Sequence, residues 1–288
     1  MTTRSCLFAT PLVLCLAGVA DGADPSHLSP MARAMVQTWF GAVGAPHPGE
    51  EFGAYLARVA YLQHGVRYDE AASFPVDNGL RVELSRFECV TFIESSLAVA
   101  RCGFEGTPTD SCFEKELIAS RYRGGALGGY GSRLHYFDDW IYDNEARSRL
   151  RNLTSELGGE PLHRDFFHIS SRVLPRSHLP PRELEELTRE ITASESRLSR
   201  RTHLVLPRER APRALNALKD GDLVAFVRER PGLLVHHAGL IYRVGGRPKL
   251  LHASSYHHRV VLTSDDVTSY LLRRPERRGV LVARPLAP

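Results

Sequence analysis

The sequence predicts an α+β fold in which a cysteine-bearing helix packs on a central antiparallel β-sheet, and three observations predict it. The N-terminal half repeats apolar residues at helical spacing: Phe52, Leu56, Val59, Ala60 and Gln63 make one stripe, and Cys89, Ile93, Ser96, Leu97 and Ala100 another. From Gly221 onward the period becomes that of strands, with short β-prone segments at 222–227, 238–244, 249–254, 259–262 and 280–283. Between two of them lies Gly245-Gly246, a two-residue hairpin signal that joins antiparallel neighbours.

The chain has 288 residues, 43% of them hydrophobic, enough to bury a full core. Residues 1–20 read as a signal peptide, with Arg4 ahead of an apolar run over 7–19 and small residues at Gly18 and Ala20. An uncleaved anchor is the alternative. The mature protein is therefore expected outside the cytoplasm, periplasmic or secreted, and no other stretch is apolar enough to insert in a membrane. Residues 21–49 are expected to be a linker with a helix from about Ser29-Pro30, and residues 50–285 a single domain. Its first helix spans 50–64 and stops at Gly65, followed by an extended piece over 65–68.

Ser85 followed by Glu88 has the form of a capping box and predicts a helix that starts there, carries Cys89 in its first turn and runs to about Arg101. A thiol at that position feels the positive end of the helix dipole, which favours the nucleophilic thiolate. The alternative is a small buried hydrophobe. Signal cleavage leaves Cys89, Cys102 and Cys112; the last two flank the turn-rich loop 103–108 and are expected to pair in an oxidising compartment. That pairing leaves Cys89 free, which calls for a chemical reason.

A Gly-rich, aromatic stretch follows, containing Tyr122, Gly124-Gly125, Gly128-Gly129, Ser132, Arg133, His135, Tyr136 and Trp140. It reads either as a wall for sugar or peptide, or as a packed loop and a helix over 137–144 with Trp140 buried. It neither follows an apolar strand nor ends in Gly-Lys-Ser/Thr, so a phosphate-binding loop is rejected. Residues 161–212 are expected to be a charged helical insertion, and His163, His168, His178 and His203 lack ligand spacing.

If Gly245 and Gly246 form the hairpin loop, Val244 opposes Arg247, and counting back places His237 and His252 on one face as diagonal neighbours. His236 then points the other way. A cysteine at a helix start and two co-facial histidines are the parts of a cysteine-nucleophile acyl hydrolase: His237 takes the thiol proton, His252 orients His237, and first-turn N–H groups stabilise the oxyanion. The two rival classes are a metal-dependent hydrolase, for which no His-x-x-x-His or Cys-x-x-Cys spacing exists, and a non-catalytic binding module. The net charge of +4 is mild and interleaved, which does not indicate nucleic acid.

Gly65-x-x-Tyr68, the acidic Glu88 before Cys89, Thr91, 221–226, His237-Ala238-Gly239 and 251–255 together resemble the ordered motifs of the NlpC/P60 superfamily of cell-wall cysteine peptidases. Residues 132–141 are similar to the signature of its DUF1460 branch, the N-acetylmuramoyl-L-alanine amidase-like proteins. The resemblance implies a papain-like fold and a Cys89–His237–His252 site with no metal or other cofactor. It implies hydrolysis of the bond between N-acetylmuramic acid and L-alanine in peptidoglycan or anhydro-muropeptides, by a monomer. Tyr68, Glu88, Tyr122, Ser132, Arg133, His135, Tyr136 and Trp140 would be the substrate-binding residues. The family commonly has Asp where this chain has Glu88. An endopeptidase cutting within the stem peptide is the near alternative.

Overall fold

A computed structural model of the chain describes residues 27–73 and 79–288; the signal peptide expected over 1–20 lies outside them. In chain order the helices are α1 (Pro30–Val43), α2 (Phe52–Leu62), α3 (Cys89–Phe104), α4 (Asp110–Arg121), α5 (Phe137–Ala146), α6 (Pro181–Ser199), α7 (Ala211–Asn216) and α8 (Val267–Leu272). The strands are β1 (Arg67–Tyr68), β2 (Arg86–Phe87), β3 (Leu150–Asn152), β4 (Glu160–Leu162), β5 (His203–Pro207), β6 (Leu223–Arg230), β7 (Leu233–Val244), β8 (Arg247–Ser254), β9 (Arg259–Asp266) and β10 (Arg277–Pro285). Among the described residues they form one sheet in the order β2-β1-β9-β8-β7-β6-β10-β5-β4, with β3 also on β10.

The fold is thus mixed α+β, and the sheet is mixed rather than wholly antiparallel, because β1 and β2 run parallel through Arg67↔Arg86 and Tyr68↔Phe87. That parallel pair sets Tyr68 beside the chain that enters α3. Sequence alternation sorts the two faces. Leu223, Ala225 and Val227 of β6 pack with Ile93, Leu97 and Ala100 of α3, while Val224 and Phe226 face Leu215 of α7 and Leu271 of α8. The sheet therefore has a helical layer on each side.

The hairpin register is Val244↔Arg247 through to Leu240↔Leu251. At Gly239 an added Cβ would lie 2.8 Å from the Leu251 oxygen and 2.9 Å from the His252 Cβ, so only glycine lets β7 approach β8 this closely beside the site.

One further sequence expectation needs correction. Ser85 does not cap α3: its N–H and hydroxyl both donate to Glu83. The cap is Glu88, whose carboxylate accepts from Val90 N at 2.9 Å and Thr91 N at 2.8 Å, while Thr91 Oγ1 accepts from Glu88 N at 3.1 Å. The box exists three residues later with its partners' types reversed. The charged stretch 161–212 is also woven into the sheet, since β5 pairs with β10 at Gly279↔Pro207 and Val280↔Leu206. Its helix α6 buries Leu187, Ile191 and Leu198 against the main core.

Candidate active site

Cys89 is the first residue of α3, half-buried and the free cysteine of the described residues. Cys102 and Cys112 are joined in a disulfide. Burial and the neighbouring Glu88 carboxylate push the Cys89 thiol up, while the backbone N–H of Ala238, the residue after His237, works the other way. Taking the thiol out of water and setting a carboxylate beside it oppose the thiolate that the helix end favours.

His237 Nε2 lies 2.6 Å from His252 Nδ1, and the rings meet edge-on with centroids 4.8 Å apart. Both rings sit on the α7/α8 face of the sheet, with Phe226 stacked 6.2 Å from His237 and Tyr270 5.4 Å from His252. Burial, with the Arg277 guanidinium nearby, holds His237 neutral, well below the usual imidazole range. Burial brings His252 down to about 3. Two neutral imidazoles and a neutral thiol make up the resting state.

His236 does not follow simple alternation. Phe226 pairs with His237 and Val227 with Val235, so His236 is the extra residue of a β-bulge. Its value is lowered to about 4 by burial and by Arg277, which also flanks His237.

Tyr68 is half-buried, and burial together with nearby Cys89 raises its phenol, which stays protonated and able to donate. Glu88 is spent on the cap. Val90 and Thr91 N–H groups donate to Glu88 side-chain oxygens and Phe92 N–H to its carbonyl, so the first turn offers fewer oxyanion donors than expected, leaving Cys89 N–H.

The other expected substrate residues knit the Gly-rich loop to its surroundings. Ser132 Oγ accepts from Gly128 N at 3.1 Å and donates to the Gly129 carbonyl, and His135 Nε2 lies 2.8 Å from the Tyr130 carbonyl. Burial takes His135 down to about 3. Tyr136 is buried and donates to Glu195 of α6 at 2.6 Å. Tyr122 is buried and bridges Arg133, itself half-buried, through the backbone. Trp140 is 1% exposed and stacks on Phe137 with centroids 5.1 Å apart. Trp140, Tyr136 and Tyr122 are all buried in the main core. Sequence reasoning missed Tyr270 and Arg277, whose guanidinium sits 3.8 Å over the Tyr270 ring. The cluster of arginines over 273–278 is visible in the sequence and is the signal that could have found them.

Among the described residues no group of three or more His, Cys, Asp or Glu side chains is placed to hold a metal ion, and no helix is long and apolar enough to cross a membrane.

Fold and site together define the class: a mixed α+β protein with a helix-borne thiol at the backbone N–H of Ala238, the residue after one of two hydrogen-bonded imidazoles. A family model described as AmiA-like, N-acetylmuramoyl-L-alanine amidase-like, matches residues 61–280, and the chain belongs to that family. It is similar to an N-acetylmuramoyl-L-alanine amidase from Bacteroides uniformis, at 25% identity and a TM-score of 0.72 over 82% of this chain and 99% of that one. It is also similar to a Bacteroides fragilis structure bearing the provisional name xylanase, at 27% identity and a TM-score of 0.70 over 78% and 98%. A Legionella pneumophila protein of the family DUF1460 shares the fold at 15% identity and a TM-score of 0.64, over 89% and 97%. No curated protein is similar enough to the chain to match.

Proposed function

We propose that the protein is an exported cysteine amidase with a papain-like, NlpC/P60-type fold. It hydrolyses the N-acetylmuramoyl-L-alanine bond of peptidoglycan or of anhydro-muropeptides. The observation that carries this reading is the His237–His252 hydrogen bond beside a residue whose backbone N–H faces Cys89.

Neutral His237 with its proton on Nε2 donates to His252 Nδ1, which leaves the Nδ1 lone pair of His237 to act as base. His252 stays an acceptor at working pH because burial keeps it neutral. The Cys89 thiol gives its proton to His237, and the sulfur attacks the lactyl carbonyl carbon. Cys89 N–H and the Tyr68 hydroxyl receive the developing oxyanion. Collapse breaks the C–N bond, His237 protonates the leaving L-alanine amine, and a thioester remains. Water, deprotonated by His237, then releases the muramoyl carboxylate and restores the thiol.

A glycosidase reading, suggested by the xylanase name, needs two carboxyl groups flanking the bond. Glu88, the carboxylate next to Cys89, has both oxygens bonded to helix N–H groups, which favours amide chemistry. Mass spectrometry of defined muropeptides, with and without a 1,6-anhydro end, tests the bond cleaved. Release of the whole stem peptide supports the amidase. A cut between D-Glu and the third stem residue makes the protein an endopeptidase, and binding without turnover makes it a wall-binding module.

A further inference from the structure

A cavity of about 270 Å³ opens at His252, between the β8–β9 turn, the end of β9, α8 and the start of β10. Its lining is electrostatically one-sided. Arg273, Arg274 and Arg277 contribute three guanidinium groups, with His257 beside them, against the single carboxylate of Asp265.

The three arginines are held differently. Arg273 is paired with Asp265. Arg277 lies over the Tyr270 ring and donates to the Tyr270 carbonyl, which fixes its plane. Arg274 is exposed, and among the described residues no carboxylate forms a salt bridge with it; the adjacent Glu276 pairs with Arg228 at 3.7 Å. The crowding is felt by its members: burial and the charges of Arg274 and Arg273 lower Arg277, and His257 and Arg277 contribute to lowering His252. An anion would relieve that repulsion.

The cavity adjoins the chemistry, because His252 and Tyr270 both line it and the Tyr270 ring lies 5.4 Å from His252 and 6.3 Å from His237. Tyr256, 80% exposed and edge-on to His257, stands at its rim as an aromatic lip. Pockets for whole drug-sized ligands run to roughly 300–1,000 Å³, so this one suits a single residue-sized group.

We propose that this cavity is a carboxylate subsite, in which Arg274 and Arg277 take a free carboxyl group of the substrate and hold the scissile amide against Cys89 and His237. It deepens the amidase reading of the same site and rests on that reading for the identity of the substrate. Guanidinium recognises a carboxylate through paired N–H donors, and an exposed, unpaired arginine beside a fixed one is free to close on it. The stem peptide of an uncleaved muropeptide offers such a group on D-Glu, whereas the lactyl carboxyl of muramic acid is tied up in the scissile amide.

The test is calorimetric titration of the full chain as Cys89→Ala, alone and combined with Arg274→Ala or Arg274→Lys. The probes are L-Ala-D-Glu, its diamide L-Ala-D-Gln-NH2, which carries no carboxylate, and N-acetylmuramic acid. L-Ala-D-Glu is expected to bind, to weaken roughly tenfold in Arg274→Ala, and to recover in part in Arg274→Lys. The diamide should bind more weakly and ignore Arg274. N-acetylmuramic acid, whose carboxyl is the acyl group of the scissile bond, should ignore Arg274 as well. Equal affinity of L-Ala-D-Glu with and without the Arg274 guanidinium, no binding of L-Ala-D-Glu, or Arg274-dependence confined to N-acetylmuramic acid overturns the proposal. Arg274-dependent binding in a protein that hydrolyses no muropeptide would sink the amidase reading and leave the subsite standing.

Discussion

His237 Nε2 and His252 Nδ1 lie 2.6 Å apart although fifteen residues separate them in the chain. One ring nitrogen of His237 is thereby committed, and the other is left for proton transfer. His237→Ala should lower kcat by about 10²–10⁴, the usual contribution of a positioned acid–base group. His252→Ala should cost less, about 10²-fold, through misorientation of His237. Turnover unchanged in His252→Ala would mean that the hydrogen bond has no part in catalysis.

The resting thiol is a neutral group raised by burial and by Glu88. Glu88→Gln keeps an oxygen able to accept from the helix N–H groups and removes the negative charge, so the thiolate becomes easier to form. The pH profile of Cys89 alkylation by iodoacetamide should move to lower pH in this variant. A profile that stays in place would show that burial alone sets the thiol.

The buried imidazoles also link stability to pH. His135 and His252 are held to about 3, and His237 is lowered as well, against an ordinary value of 6.5. Between those folded values and 6.5 the unfolded chain binds protons that the folded protein does not, so stability rises with pH in that window and levels off above it. The urea midpoint should therefore fall between pH 7.5 and pH 5. A His135→Gln variant should show a smaller fall, and an equal fall would assign the effect to other groups.

The Cys102–Cys112 disulfide closes a short loop with a sequence separation of 10, for which chain entropy gives about 2–3 kcal/mol. Cys112→Ala should lower the melting temperature by several degrees. Hydrolysis per folded molecule should persist, because Cys89 is not in the bridge. Loss of activity in the folded variant would implicate the bridge in shaping the site.

Much of this architecture is readable from residue spacing. Gly245-Gly246 sets the hairpin register, and the register alone puts His237 and His252 on one face. The stripe through Cys89, Ile93, Leu97 and Ala100 gives α3, although Cys89 itself is only half-buried. What failed to read has physical causes. The Glu88/Thr91 box was hidden by a better-known order of the same residue types at Ser85. A bulge breaks period-two counting at His236, since an extra residue leaves no trace in composition. Strand β5 lies directly after the charged helix α6, and its place beside β10 is a long-range pairing no local pattern encodes. Trp140 could be assigned to wall or core only by knowing what packs on it, which is Phe137 on its own helix.

The most direct test of the account is the mass of the Cys89-bearing peptide after rapid acid quench of the His252→Ala protein with a defined anhydro-muropeptide. The account predicts a muramoyl acyl group on Cys89, with the whole stem peptide free in solution, and no adduct in a protein that also carries Cys89→Ala. Undiminished stem release by Cys89→Ala alone would contradict it.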